Sequence, residues 1–524
     1  MLRNLTERVL PLPSILIILA IWLCTTSFSQ AQKSAVPAKS SSALFTAKFQ
    51  LDHGDLEAGE KTLWDILSSD PANEDALTML GIVRARQTRY AESEALFRRV
   101  LQLNPKSVVA SRNLAETLLI EDKQDEAVEQ FKQTMQLAPQ DLGLKIKVAE
   151  LDLARGNFAG ALSTINTIKS DRLPPSVVPL KAASLLGMGR RSDAERLLPL
   201  VRRSPKSAVE LAQVFDEAKD PDAALRSLAF VDPPAKALAA RTYYLRGRAF
   251  RQKEETAAAM TNFRRSLATD PKSVETMSAM AEILASENKH ADSLAILEKA
   301  RVLNPDSTDI LRHVIMEAMR AGENDKGLEA AQNLLRESSA LDDRYLAASV
   351  MLQQRQYLPA SHLFEDYVAQ RPQDAKAYLG LGMAYLNLLR YADARHALEH
   401  SLQLAPDLAE AEYQLGVLFA QQGRRQEATQ YWEKAVELQP HHAQALFSLG
   451  TIYLEEGELE KARNSFVQSL AADPGNMKTE YDLALVLNKL GRSEEAREHF
   501  DRYRKMEDQE HITSGNAPDT TEHP

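Results

Sequence analysis

The sequence predicts an all-α protein, a solenoid built from repeated pairs of helices. Its composition is 44% hydrophobic but only 6% aromatic, a mixture that favours closely packed helices over sheets. Prolines recur every 34 residues in three series, and a fixed period of this length is the signature of a repeat architecture. Because a solenoid grows without enlarging one core, 524 residues need not form three globular domains. The series are Pro71, Pro105 and Pro139; Pro271 and Pro305; and Pro372, Pro406, Pro440 and Pro474.

Other residue types follow the same period. Each proline comes after a short polar turn, where it ends one helix and presets the backbone for the next. Between prolines, the pattern predicts two helices of about a dozen residues joined by a tight turn near Gly423 or Gly457. Small residues recur where two helices must approach closely, and large ones fill the adjacent space. Three successive frames have the columns Tyr378, Leu381, Gly382 and Tyr385; Leu415, Gly416, Ala428 and Trp432; and Leu449, Gly450, Ala462 and Phe466.

This combination of period, Leu-Gly-x-x-Tyr run, second-helix Ala and Phe, and closing Pro resembles the tetratricopeptide repeat (TPR). About 14 frames extend from about residue 40 to residue 508. The resemblance implies a right-handed superhelical solenoid in which the first helix of each repeat lines a concave surface. It also implies that peptide segments or whole proteins bind in that concavity.

Prolines disturb the period between about residues 174 and 239, where one frame is several residues short. We interpret this region as distorted repeats that join an N-terminal TPR segment, residues 43–205, to a C-terminal TPR segment, residues 240–508. The degenerate joint itself covers residues 206–239. The alternative is simple drift of the sequence within one continuous superhelix.

The two ends have different characters. Residues 1–31 resemble a secretory signal peptide: Arg3 and Arg8 precede the apolar run Ile15–Cys24, and small residues lead to a predicted cleavage after Ala31. The alternative is an uncleaved membrane anchor, although this run is about half the length that spans a bilayer. Residues 32–42 read as a linker and residues 509–524 as a disordered polar tail. We therefore expect a periplasmic or secreted protein.

Composition excludes several classes of site. The single cysteine, Cys24, lies in the predicted signal, so the mature chain would have no disulfide, thiol nucleophile or thiolate-bound zinc. The formal net charge is −10 without a concentrated basic run, which argues against non-specific binding of nucleic acid or anionic membranes. The sequence has no phosphate-binding glycine loop and no His-Glu-x-x-His motif. His396 and His400 are four residues apart on a predicted helix, but they lack an evident third ligand, and we expect them to be solvated. We expect no cofactor, no metal and no catalysis.

Candidate partner-binding residues come from the positions that line TPR grooves. The fifth position of successive frames forms what we call the aromatic stripe. The resemblance implies that these side chains face a partner, and tyrosine offers a large contact area at low entropy cost. The alternative is that the rings pack between neighbouring helices. The stripe consists of Tyr345, Leu379, Tyr413, Phe447 and Tyr481.

A second candidate is a basic patch at the lining positions of one frame, formed by Arg241, Tyr244, Arg248 and Arg251. Guanidinium groups in this arrangement suit a carboxylate or an acidic peptide. The alternative is a solvated face of ordinary surface arginines. Two residue sets of specialised relatives, the Lys/Asn set of chaperone-binding members and the Asn ladder of sugar-transferase members, are not found here.

These observations predict a non-catalytic protein-binding scaffold of the cell envelope, with an unidentified peptide or protein partner. The alternative function is an accessory role in the export or modification of a secreted polysaccharide, in which the aromatic stripe would stack on sugars.

Overall fold

A computed structural model describes residues 38–168 and 173–513, and their side chains from Ser42 to Gln509. These residues form α-helices and short 3-10 helices, without a β-strand. The chain divides into two compact units, which we call unit 1 (residues up to Thr276) and unit 2 (residues from Met277). Each unit is described separately below.

Unit 1 is a run of consecutive helix pairs. Several helices begin after an Asn, Ser or Asp whose side chain accepts a hydrogen bond from the first turn, as Asn73, Ser107 and Asp141 do. Its helices are α1 Ala38–Asp52, α2 Leu56–Ser69, α3 Glu74–Arg86, α4 Tyr90–Leu103, α5 Val108–Ile120, α6 Gln124–Leu137, α7 Leu142–Ala154, α8 Phe158–Asn166, α9 Val178–Gly187, α10 Arg191–Glu195, α11 Pro205–Glu217, α12 Pro221–Leu228, α13 Lys236–Gln252 and α14 Thr256–Thr269.

Helix α15 Val274–Ser286 runs across the division, and unit 2 continues the same alternation. The odd-numbered helix of each pair is the first helix of a repeat, and the even-numbered one is the second helix. The remaining helices are α16 His290–Leu303, α17 Thr308–Ala321, α18 Asn324–Glu337, α19 Leu341–Gln353, α20 Tyr357–Gln370, α21 Ala375–Asn387, α22 Tyr391–Leu404, α23 Ala409–Gln421, α24 Arg425–Leu438, α25 Ala443–Glu455, α26 Leu459–Ala472, α27 Met477–Lys489 and α28 Ser493–Thr513.

The predicted all-α solenoid of about 14 helix pairs is confirmed: the described residues contain 28 helices in consecutive pairs. Within each pair, one residue of the connecting turn has a left-handed backbone, for example Gly423 and Gly457, which the sequence marked as turns. Glycine holds this position in seven repeats, because it adopts positive φ without a Cβ clash. The other seven repeats place a non-glycine residue there: Thr88, Asp122, Lys219, Glu254, Asn288, Arg355 and Leu389.

Within a repeat, a large side chain of the second helix packs against a glycine of the first helix, which has no side chain to occupy the space. The Phe466 ring is fully buried beside Gly450, where an added Cβ would lie 2.6 Å from the ring. The Trp432 ring lies equally close to Gly416, and its indole N–H donates to the Tyr413 carbonyl at 3.2 Å. These glycines therefore set the distance between the two helices of a repeat.

Between repeats, the second helix contacts the next first helix, and first helices also contact one another. Polar contacts reinforce the stacking. Arg84 of α3 donates to Glu60 of α2 at 2.6 Å and holds the pKa of that carboxyl down to about 2. In unit 2, the Tyr385 hydroxyl donates to Glu365 of the preceding repeat at 2.6 Å.

The region of disturbed period keeps its core although its second helices are short. Helix α10 has five residues and α12 has eight, and each is followed by a 3-10 turn, Leu198–Val201 and Ala229–Val231. Buried Phe215, Leu228 and Val231 nevertheless belong to one apolar cluster that extends from Leu162 to Ala249. The division into units falls after this region, at residue 276. A joint over residues 206–239 stays a prediction, and the continuous cluster favours the alternative of drift.

The chain ends differ from the sequence-based boundaries by a few residues. Helix α1 begins at Ala38, inside the predicted linker, and α28 continues to Thr513, inside the predicted tail. The predicted signal peptide of residues 1–31 and the predicted tail beyond residue 513 lie outside the described residues. Among the described helices, none combines the length and hydropathy that a membrane crossing requires.

Gly450→Ala is expected to destabilise the protein. The new methyl group would lie 2.6 Å from the buried Phe466 ring, and overpacking of this kind costs about 1–3 kcal/mol, which exceeds the gain of at most about 1 kcal/mol in helix propensity. The measurement is the free energy of unfolding from urea titration, followed by circular dichroism. Gly475→Ala is the matched control, since its added Cβ would meet no atom closer than 3.6 Å. Equal stability of the two variants would contradict this account of the helix spacing.

Candidate functional site

The five residues of the aromatic stripe lie on five consecutive first helices of unit 2, α19, α21, α23, α25 and α27. Each is partly buried, and Tyr481 is 41% exposed. Neighbouring first helices approach closely, with Cα atoms within 8 Å between α19 and α21, between α21 and α23, and between α25 and α27. The structure therefore arranges the predicted residues as one per repeat along one side of unit 2.

The stripe rings also brace the second helices of their own repeats. The centroid of the Phe447 ring lies 5.7 Å from that of Phe466, and the Tyr345 ring lies 5.8 Å from Phe364 in an edge-to-face arrangement. Tyr481 contacts Phe500 at 5.8 Å. Each ring thus packs one side against its own repeat while part of its surface stays exposed. These contacts support the interpretation that the rings pack between helices, and the recognition of a partner by their exposed parts stays a prediction.

A second column, which the sequence analysis did not single out, lies one helical turn further along the same first helices. Its members are partly buried except for Met316, which is 40% exposed. Residues four apart on a helix share a face, so this column widens the apolar surface beside the stripe. The 34-residue period of the sequence could have predicted this second column. The column comprises Met316, Ser349, Met383, Val417, Thr451 and Leu485.

Polar groups border the stripe. The Lys478 ammonium lies 5.0 Å from the centroid of the Phe447 ring, close enough for a cation–π contact. The Tyr413 ring lies 5.0 Å from that of His442, whose Nε2 is 3.2 Å from Glu410. Burial raises the pKa of Tyr413, so its hydroxyl stays protonated and neutral at physiological pH. These groups make the border of the stripe polar and its centre apolar.

A cavity of about 690 Å³ opens at the N-terminal end of α21, one helical turn from Leu379. Its walls combine apolar side chains with an exposed lysine, Lys376. Two of its charged residues are already engaged: Arg371 pairs with Asp342 at 2.5 Å, and Asp374 accepts from the Tyr367 hydroxyl at 3.0 Å. The lining residues are Arg371, Pro372, Gln373, Asp374, Ala375, Lys376, Ala405, Asp407 and Leu408.

The basic patch lies on α13 in unit 1, and its charge is partly neutralised by the preceding first helix. Arg248 forms an ion pair with Asp216 at 3.2 Å, and the Asp216 side chain is completely buried. Burial raises the pKa of Asp216 in spite of the nearby Arg248 and Arg241. Arg241 donates to Gln213 at 2.8 Å, and both arginines lie over the Tyr244 ring, 5.1 and 5.9 Å from its centroid.

This arrangement makes the patch a mixed-charge cluster, in which Arg248 has a structural partner. Arg251, the fourth predicted member, is exposed at the end of α13. The sequence did not predict the cluster, because Asp216 belongs to the frame whose period is disturbed.

His396 and His400, the two histidines considered in the sequence analysis, lie on second helix α22. Their rings are parallel, and the ring centroids are 6.4 Å apart. Over residues 38–168 and 173–513, no group of three or more His, Cys, Asp or Glu side chains is placed to hold a metal ion.

Family models described as Tetratricopeptide repeat match the chain over residues 46–108, 78–141, 345–409 and 413–477, with further matches over 455–513 and 240–273. Together these ranges cover more than half of the chain, and their helices are those that pair in the structure. The chain belongs to the tetratricopeptide repeat family. The predicted resemblance is therefore confirmed. TPR proteins generally mediate protein–protein interactions.

Solved structures similar to this TPR chain are distant. A TPR protein from Parabacteroides merdae is 17% identical over 48% of this chain and 99% of its own, with a TM-score of 0.42. The anaphase-promoting complex assembly Cut9–Hcn1 is 13% identical over 90% of this chain and 94% of that one, with a TM-score of 0.39. MamA is 23% identical over 31% of this chain and 95% of its own, with a TM-score of 0.28. TM-scores this low support no conclusion about what the TPR protein binds. No curated protein matches the chain.

Arg248→Met is expected to destabilise the TPR protein at neutral pH by roughly 2–4 kcal/mol, because it leaves the buried Asp216 carboxylate without its cation. The pKa of Asp216, already raised by burial, would rise further in the variant. The variant would then recover stability relative to the wild type as the pH falls through that pKa and the carboxyl becomes neutral.

The measurement is urea unfolding at a series of pH values between 7 and about 4. Arg241→Met is the matched control: its hydrogen-bond partner is the neutral Gln213 and it lowers the pKa of Asp216 less than Arg248 does, so we expect a loss below about 1 kcal/mol with a smaller pH dependence. A loss at Arg248 that is independent of pH would contradict the structural role assigned to its ion pair.

Proposed function

We propose that this TPR protein is a non-catalytic scaffold that binds a peptide segment of a protein partner along the first helices of unit 2. One observation carries the proposal: five consecutive first helices each carry one large stripe side chain that is partly exposed, at the same position of successive repeats. Rigid aromatic side chains in such a row are the residue type on which binding energy concentrates.

The contrast with unit 1 supports this choice of surface. At the positions equivalent to the stripe and its neighbouring column, α5 and α7 carry Arg112, Glu116 and Glu150. Burial raises the pKa values of the Glu116 and Glu150 carboxyls. Bringing a partner onto such groups would desolvate charges at further cost. The five stripe positions of unit 2 themselves carry no charged side chain.

We also propose that the protein works in the cell envelope or outside the cell. The support comes from the sequence of residues 1–31, with its basic start, its apolar run and its small residues before the predicted cleavage after Ala31. An uncleaved anchor is the alternative fate of this segment, and the accessory role in polysaccharide export is the alternative function.

An affinity pull-down from a bacterial envelope extract tests the proposal. The full chain is compared with a variant in which Tyr413, Phe447 and Tyr481 are all changed to Ala. Because these rings also brace second helices, a milder variant is needed: Leu379→Lys places a charge on the stripe while its long stem still covers the helix. Val467→Lys is the matched control, since Val467 lies on second helix α26 with 45% of its surface exposed.

We expect the wild type and Val467→Lys to retain a protein partner. Leu379→Lys and the triple variant should lose that partner. Circular dichroism confirms that the variants are folded. Partner retention by both stripe variants would move the binding surface elsewhere on the chain. Retention of glycan instead of protein would replace the proposed function with the polysaccharide alternative.

A further inference from the structure

The spacing of the stripe restricts the conformation of its ligand, provided that the proposed function holds. Packed helices have axes about 8–10 Å apart, and we take this general value for the first helices of unit 2, of which α19 and α21, α21 and α23, and α25 and α27 have Cα atoms within 8 Å of each other. Successive stripe residues occupy the same position of successive repeats. A ligand that uses the whole stripe must therefore present one side chain about every 8–10 Å, always on the same side.

A β-strand does not meet this requirement. Its side chains return to the same face every second residue, about 6.6–6.8 Å apart, and its third residue points to the opposite face. An α-helix advances only about 5.4 Å per turn. A polyproline II segment returns to the same face every third residue, about 9.3 Å further along. Two turns of an α-helix advance about 10.8 Å, just above the range of 8–10 Å, so polyproline II is the regular conformation whose repeat falls within it.

The chemistry of the stripe also suits this ligand. Aromatic-lined grooves bind proline-rich segments, since the proline rings pack on the aromatic faces and the segment is already extended before it binds. Tyr345, Tyr413, Phe447 and Tyr481 supply aromatic faces at four of the five positions, and Leu379 supplies an apolar side chain at the fifth.

Charge at the border of the stripe indicates what flanks the prolines. The second position of each first helix lies one turn before the stripe residue. In α19 and α23 this position holds acids that are already engaged, Asp342 with Arg371 and Glu410 with His442. In α21 and α27 it holds exposed lysines, Lys376 and Lys478, and the Lys478 ammonium lies against the stripe at Phe447. The two lysines therefore offer positive charge three repeats apart, and Lys478 also lies near Asp482 of its own helix, whose pKa it lowers against the effect of burial.

We propose that the stripe binds a proline-rich polyproline II segment of about 13 residues, with an apolar residue at every third position and acidic residues about nine positions apart that pair with Lys376 and Lys478. The length corresponds to four steps of three residues between the five stripe positions. This inference names the ligand class for the surface assigned under the proposed function.

The test uses fluorescence anisotropy with the full chain and a labelled 15-residue peptide. The peptide consists of five Pro-Pro-Ser triplets, with Glu in place of Ser in the first and fourth triplets, nine positions apart. One control peptide has Gly in place of every Pro and keeps both Glu residues. A second control alternates Val and Thr with the same two Glu residues, which favours a β-strand. A third peptide has Lys in place of both Glu residues.

We expect the proline peptide to bind the wild type at least tenfold more tightly than the glycine and Val/Thr peptides, and to bind Leu379→Lys at least tenfold more weakly. The double variant Lys376→Glu and Lys478→Glu is expected to reverse the charge preference: the acidic peptide weakens about tenfold, and the lysine peptide becomes the better ligand. Val467→Lys should bind as the wild type does.

Equal affinity for the proline, glycine and Val/Thr peptides would overturn the inference, because the backbone conformation would then not matter. No binding of the proline peptide would overturn it as well. The pull-down described above separates the two proposals. If it yields a partner that depends on Leu379, the proposed function stands although the ligand class is wrong. If neither the peptide assay nor the pull-down gives the expected result, the proposed function is wrong too.

Discussion

The structure depends on one contact in its repeats. A large side chain of the second helix packs against a glycine of the first helix, where no side chain occupies the space. One helix pair has too little interior to bury its own apolar face, so each repeat relies on its neighbours for stability. The close approach at Gly450 and Gly416, filled by Phe466 and Trp432, sets how the two helices of a repeat lie against each other. That geometry in turn determines how the next repeat stacks and where its first helix places residues such as Phe447.

The rings of the stripe pack within their repeats, and the proposed recognition uses the part of their surface that stays exposed. Phe447 packs on Phe466 with one part of its surface, while Lys478 lies near the ring from the following repeat. A side chain held in this way loses little further freedom when a partner binds, which lowers the entropic cost of association. The units differ at one equivalent position: α5 of unit 1 has the charged Arg112 at the stripe position, where five first helices of unit 2 have aromatic or apolar side chains.

Much of the fold could be predicted from the sequence, because the repeat contacts involve residues at fixed spacing. Prolines and the Gly–Phe columns identified the helix pairs and most of their turns. The left-handed turn residues Thr88 and Leu389 could not be predicted, because their backbone is imposed by the helices on either side and not by their own preference. Only the arginines of the basic patch could be predicted. Its arginines lie at regular positions, but the Asp216 partner of Arg248 lies in a frame where prolines hide the period, so only the structure brings the two charges together.

The central claim is that the partner of this protein lies on the first-helix face of unit 2, and site-specific photo-crosslinking in living cells tests it most directly. A photoreactive phenylalanine analogue is placed at residue 379 on the stripe or at residue 467 on second helix α26, each in an otherwise unchanged chain. Our account predicts a discrete protein adduct from residue 379 and none from residue 467. An adduct from residue 467 without one from residue 379 would contradict it, since the working surface would then lie on the second helices.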